Sequence, residues 1–122
     1  MAIEIRYHNT ARGIKAAQLL PGTDLIASPD DILDSMADAR FNGSDRMIIH
    51  EKSFHPDFFE LKTKVAGEIL QKFSNYRMRL AIIGDFSGFK SKSLKEFIRE
   101  SNRTGIINFV GSLDEALLKL DR

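Results

Sequence analysis

Asp45–Ser87, DRMIIHEKSFHPDFFELKTKVAGEILQKFSNYRMRLAIIGDFS, reads as strand, loop, helix, strand and a Gly-Asp turn. Two apolar runs, Met47-Ile48-Ile49 and Leu80-Ala81-Ile82-Ile83, flank a long amphipathic segment. Short continuous apolar runs bounded by polar residues are the mark of strands buried on both faces, as in a parallel sheet. Polar residues close each run: His50-Glu51-Lys52 after the first, Asp85 and Ser87 after the second. In a parallel sheet these ends share one edge, where open α/β sheets place their ligands.

Between the two runs, Pro56 is expected to fix the first turn of a helix. Phe58, Leu61, Val65, Ile69 and Phe73 fall on one side of it, with Phe59, Ala66 and Leu70 beside them, an apolar face wide enough to pack deeply on a sheet. Gly67, in mid-helix, costs about 1 kcal/mol relative to Ala, and a close strand backbone would account for it.

Upstream, Ile3, Ile5 and Tyr7 alternate with Glu4 and Arg6, the period of a strand with one buried face. Asn9–Gly13 has turn chemistry, so Ile14–Leu20 is expected to return as the second strand of a hairpin that Pro21-Gly22 stops. Ser28-Pro29-Asp30-Asp31 is a helix start, with Ser28 as cap. Ile32, Leu33, Met36, Ala37 and Phe41 form its apolar stripe, and Asn42-Gly43 ends it. Downstream, Ser91 or Ser93 starts a helix, with Ser93-x-x-Glu96 as a capping box and Leu94, Phe97 and Ile98 inward. Ile106–Val110 is a short strand. A second box, Ser112-x-x-Glu115, opens a last helix carrying Leu113, Ala116, Leu117 and Leu120.

The expected fold class is therefore α/β: a mixed sheet of about five strands, with an N-terminal antiparallel hairpin and then a β-α-β-α-β-α parallel portion. A chain of 122 residues makes one domain spanning 1–122, able to bury one core without staples. With no cysteine, disulfides and thiolate chemistry are excluded and a reducing cytoplasm is the expected compartment. The net charge of +1 disfavours nucleic acid and acidic membranes as partners. No apolar run reaches the about 18 residues of a membrane span, and the N-terminus lacks a secretory apolar stretch.

The phrases FFELKT, AGEILQKFSNYR, LAIIGDFS and SKSLKEFI, and upstream SPDDILDSMADARFNGSDRMIIHEKSFHPDFF, resemble the bacterial domain-of-unknown-function family 4180 over nearly the whole chain. That resemblance implies no activity. The order of elements also resembles, more distantly, the anti-sigma-factor-antagonist (STAS) fold and its SpoIIAA-like relatives, through RLAIIGD and the closing SLDEALLKL. Those antagonists carry an Asp-Ser pair with a phosphorylatable serine. Asp85-Phe86-Ser87-Gly88-Phe89-Lys90-Ser91-Lys92-Ser93 has serines but no such pair, so no phosphoswitch is carried over.

His50-Glu51-Lys52-Ser53-Phe54-His55 departs from the metalloprotease spacing, because Phe54 occupies the second His position; no metal site is expected. Gly84-Asp85-Phe86-Ser87-Gly88 matches no phosphate-loop pattern, and no cofactor is expected. His50 and Asp85, both at strand ends, are candidates for an Asp-oriented base, with Ser87 as nucleophile or binding hydroxyl. The plainer reading, which we prefer, has Asp85 bonding backbone N–H groups of a turn and His50 on the surface. Lys90, Lys92, Lys95, Arg99 and Arg103 read as a solvated helix face with pairs such as Lys92–Glu96 rather than a phosphate surface. Phe86 and Phe89 either cover a pocket, contact a partner or form a local core.

The leading functional expectation is a non-catalytic cytoplasmic module. It would bind a protein partner or small ligand at the His50/Asp85 edge, with Glu51, Lys52, Phe86, Phe89 and Lys90 as binding candidates. The alternative is a small hydrolase-like enzyme using His50, Asp85 and Ser87. An unprotected N-terminal strand edge would allow a homodimer.

Overall fold

The structure, a computed structural model, describes residues 4–22 and 24–122. Ile3, placed by its pattern in the first strand, lies outside the described residues. The order of elements is β1 (Ile5–Asn9), β2 (Lys15–Leu19), α1 (Asp30–Phe41), β3 (Arg46–His50), α2 (Val65–Asn75), β4 (Arg79–Ile83), α3 (Lys92–Thr104), β5 (Ile107–Val110) and α4 (Leu113–Lys119). The five strands lie in the order β1-β2-β3-β4-β5. β1 and β2 pair antiparallel, and β2 through β5 pair in parallel. The mixed α/β sheet with its N-terminal hairpin is thus as the sequence pattern implies.

Strand alternation divides the core. Ala17, Leu19, Met47, Ile49, Leu80, Ile82, Ile107 and Phe109 form one face, packed with Ile32, Met36 and Ala39 of α1, Ala66, Ile69, Leu70 and Phe73 of α2 and Leu94 of α3. Ala16, Ile48, Ala81 and Val110 form the other, under Ala116 of α4 and Leu120. Three helices on one face and one on the other explain why β3 and β4 read as continuous apolar runs.

Several local expectations change. The helix expected from Pro56 begins only at Val65. Three short 3-10 turns, Glu51–Ser53, Pro56–Phe59 and Leu61–Thr63, fill the gap, and Lys64 (φ 66°) stands in the left-handed region between the last of them and α2. A backbone in that region cannot carry a helix through. Gly67 is exposed, and a Cβ there would meet nothing within 4 Å, so close strand approach does not explain it. The α1 stripe is wider than the core needs: Phe41 is 90% exposed. At the start of α1 the capping group is the Asp31 carboxylate, which accepts from Ala27 N and Ser28 N at 2.9 and 3.1 Å; the Ser28 hydroxyl caps no backbone group. This is the reach-back half of a capping box. Ser91, not Ser93, caps α3 by accepting from Leu94 N at 3.2 Å. Ser112 caps α4 by accepting from Glu115 N, while the Glu115 carboxylate turns to Gly111 N at 2.6 Å. On α3, Arg103 pairs with Glu100 rather than Lys92 with Glu96 among the described residues. On β1, only Ile5 and His8 are half-buried; Tyr7 lies 36% exposed.

Candidate functional site

The carboxyl ends of β3 and β4 are neighbours, with His50 in register with Ile83. Each strand ends by turning its first polar residues onto its own backbone. His50 Nδ1 accepts from Lys52 N at 3.1 Å, closing the turn at Glu51–Ser53. His55 repeats the device one turn later, its Nδ1 accepting from Asp57 N at 3.1 Å. After β4, the Asp85 carboxylate accepts from the Ser87 hydroxyl at 2.6 Å and from Ser87 N at 3.0 Å. These bonds, the hydroxyl first and then the backbone N–H, hold the Asp85 carboxyl below its ordinary value of 3.8. A carboxylate stabilised in its charged form is a weaker base.

The two loops are joined by a residue pair that motif reasoning passes over. The Glu51 side chain lies across Gly84, and its Oε1 accepts from Asp85 N at 3.3 Å. A Cβ at Gly84 would stand 2.6 Å from Glu51 Cδ and 2.9 Å from its Cβ. Gly84 is therefore small because Glu51 needs the space, and no spacing rule links positions so far apart in the chain. Among the strand-end candidates, Asp85 and Ser87 bond each other, Glu51 reaches Asp85 through its backbone, and His50 bonds Lys52 instead of Asp85.

Beneath this polar rim lies an aromatic chain. Phe54 and Phe58 stack at 4.2 Å, and Phe58 meets Phe59 edge-on at 5.0 Å. Phe59 stacks on Phe89 at 5.0 Å, Phe86 meets Phe109 edge-on at 5.2 Å, and Phe97 meets Phe109 at 6.1 Å. Offset and edge-on rings at these separations attract beyond their area burial. Phe86 and Phe89 are half-buried against the main core. They are the roof of a continuous core rather than a free loop patch. Ile26 ties the Phe54 end to the rest of the fold, forming a parallel bridge to Phe54, accepting from His55 N and donating to Ser53 O.

Where the aromatic chain reaches solvent it leaves an open groove of about 430 Å³, lined by Leu25, Glu51, Lys52, Phe54, Pro56, Phe59, Glu60 and Phe89. Of the sequence candidates, Glu51, Lys52 and Phe89 line it. His50, Asp85, Phe86, Ser87 and Lys90 do not. Leu25, Phe54, Pro56, Phe59 and Glu60 were missed, because the Phe residues there carry a helical period that pointed to pure core. Among the described residues, no group of three or more His, Asp or Glu side chains is placed to hold a metal ion, and no helix is long and apolar enough to cross a membrane.

Compared with known proteins, residues 11–120 match the family described as Domain of unknown function (DUF4180), and the chain belongs to that family. No curated protein and no solved structure matches it.

Proposed function

We propose that this protein is a non-catalytic regulatory or interaction module of a bacterial cytoplasm, binding a small ligand or an apolar segment of a partner protein in the groove at the carboxyl edge of β3 and β4. One observation carries this reading: the groove of about 430 Å³ is lined by Phe54, Phe59, Phe89, Leu25 and Pro56 together with Glu51, Lys52 and Glu60. An apolar wall with few polar groups around it is the usual make-up of a ligand site of that size. The polar residues of the same edge support binding over catalysis. His50 Nδ1 and the Asp85 carboxylate are engaged by backbone N–H groups, and the Ser87 hydroxyl donates to Asp85 rather than to an imidazole. A nucleophile needs its base as hydrogen-bond partner. The absence of cysteine suits a reducing compartment. The likeness to SpoIIAA-like regulators rests on the order of elements alone and adds an analogy of fold.

Screening aromatic fragments by amide chemical shifts tests this reading. Shifts should cluster at Glu51–Glu60 and Phe89 and vanish in Phe89→Ala, while His50→Ala and Asp85→Asn bind as wild type. Turnover of an activated ester that disappears in His50→Ala and Asp85→Asn would favour the hydrolase-like reading instead.

A further inference from the structure

The two edges of the sheet are finished differently. In β5, Leu80 N donates to Ile106 O and Gly84 N to Val110 O, so Ile107 and Phe109 turn their backbone groups away from β4. That outer side is blunted: Asn102, on α3, accepts from Phe109 N at 2.7 Å through its side-chain oxygen. Occupying an outward N–H with a side chain is one way to stop a strand edge from recruiting another strand.

β1 has no such device. Leu20 N donates to Glu4 O and Thr10 N to Ile14 O, which sets the even residues Glu4, Arg6, His8 and Thr10 against β2. In an antiparallel ladder the alternate residues then face outward, here Ile5, Tyr7 and Asn9. Among the described residues nothing accepts from or donates to these outward groups. The register with β2 runs unbroken over all five residues, without proline or bulge. Tyr7 is 36% exposed beside them.

We propose that a second copy of this chain pairs with β1, strand to strand and antiparallel about a two-fold axis at Tyr7, continuing the two five-stranded sheets as one. The outward set is its own complement about that centre. Tyr7 exchanges both of its hydrogen bonds with the partner's Tyr7, and Ile5 pairs with the partner's Asn9. Arg6 then stands opposite the partner's His8. Moving the centre by one residue loses part of the strand: centring on Arg6 puts like charges face to face, and centring on His8 leaves Ile5 unpaired. A closed two-fold contact also uses up the edge, so assembly stops at two. This surface lies at the far side of the sheet from the groove's β4 flank and is independent of the binding reading.

Light scattering after size exclusion, over a dilution series, should give a dimer that dissociates to monomer. Tyr7→Pro removes an N–H that β2 does not use, a change edge strands tolerate. It should weaken association about tenfold or more, because two symmetric N–H···O bonds go at once. Tyr7→Lys, which keeps the backbone and sets two ammonium groups opposite each other, should also shift the equilibrium to monomer. Both variants should keep wild-type circular dichroism. In the dimer, amide exchange at Ile5, Tyr7 and Asn9 should slow with concentration, while Arg6 and His8 are protected throughout. A protein that stays monomeric at every concentration overturns the proposal. So does a dimer that survives Tyr7→Lys, or one in which the three outward amides exchange at the free rate; either would place the contact elsewhere.

Discussion

The segment after β3 and the segment after β4 answer the same problem in opposite ways. Both leave a buried parallel strand at the same edge, and both must turn the chain toward a helix. Glu51–Lys64 does so slowly, through three 3-10 turns that bury Phe54, Phe58 and Phe59. Gly84–Ser91 does so at once, through a turn closed by Asp85 and Ser87, and lays Phe86 and Phe89 over the first segment's rings. The first supplies a floor and the second a roof. What the difference teaches is a division of labour: His50, His55 and Asp85 bond their own turns, and the two segments are held together by the phenylalanine rings and by Glu51, which reaches across Gly84 to Asp85 N. The groove opens where those rings run out.

The comparison breaks most severely at the floor. Phe58 is 1% exposed and stacked on Phe54, so Phe58→Ala is expected to cost about 3–5 kcal/mol, read as a lower denaturant midpoint. An equal loss in Phe89→Ala, which is only half-buried, would contradict the asymmetry of floor and roof.

The joint comes next. Gly84→Ala forces the Glu51 side chain off Gly84 and from the Asp85 N–H; overpacking of this kind costs about 1–3 kcal/mol. If the two segments are coupled there, the double variant Gly84→Ala/Glu51→Ala should lose less than the sum of the single changes. Additive losses would mean that the loops behave independently.

A smaller effect sharpens the account of the slow turn. Lys64 holds a left-handed backbone, which costs a non-glycine residue about 1–2 kcal/mol. Lys64→Gly removes that cost and loosens the unfolded chain, leaving a net gain of about 1 kcal/mol or less in chemical denaturation. A loss instead would show the Lys64 side chain to be a positive contributor.

The smallest effect concerns the fast turn. The Asp85 carboxyl is held below its ordinary 3.8 by Ser87. A carboxyl with a depressed folded pKa adds stability above its unfolded pKa and loses it as the pH falls through the folded value. The melting temperature of wild type should therefore drop below about pH 4 by slightly more than that of Asp85→Asn, and the two should run parallel above it. Identical acid profiles would remove Asp85 as the organiser of this turn.

Much of the fold is legible from local pattern. Met47–Ile49 and Leu80–Ile83 are strands by their unbroken apolarity, and Asn42-Gly43 and Gly105 end helices as their backbone freedom implies. The break before Val65 is not legible: Phe58, Leu61 and Val65 keep a helical period although 3-10 turns carry two of them. Periodicity reports which side chains want burial, and the rings of Phe54, Phe58 and Phe59 find it without a continuous helix. Phe41 errs the other way: it continues the side of Leu33 and Ala37 and at 3.6 residues per turn lies about half a turn round α1 from Ile32, away from the buried Ile32, Met36 and Ala39, and it is 90% exposed.

The sequence by itself determined the element types, their order and the edge at which polar residues gather, because burying an alternating or continuous apolar pattern admits few backbone solutions. Only the tertiary structure decided that Glu51 crosses Gly84, that the histidines and Asp85 bond their own turns, that Phe89 stacks on Phe59 to wall a groove, and that β5 is capped while β1 is open. Those outcomes depend on distances between residues remote in the chain, and such distances exist only once the sheet has set its register.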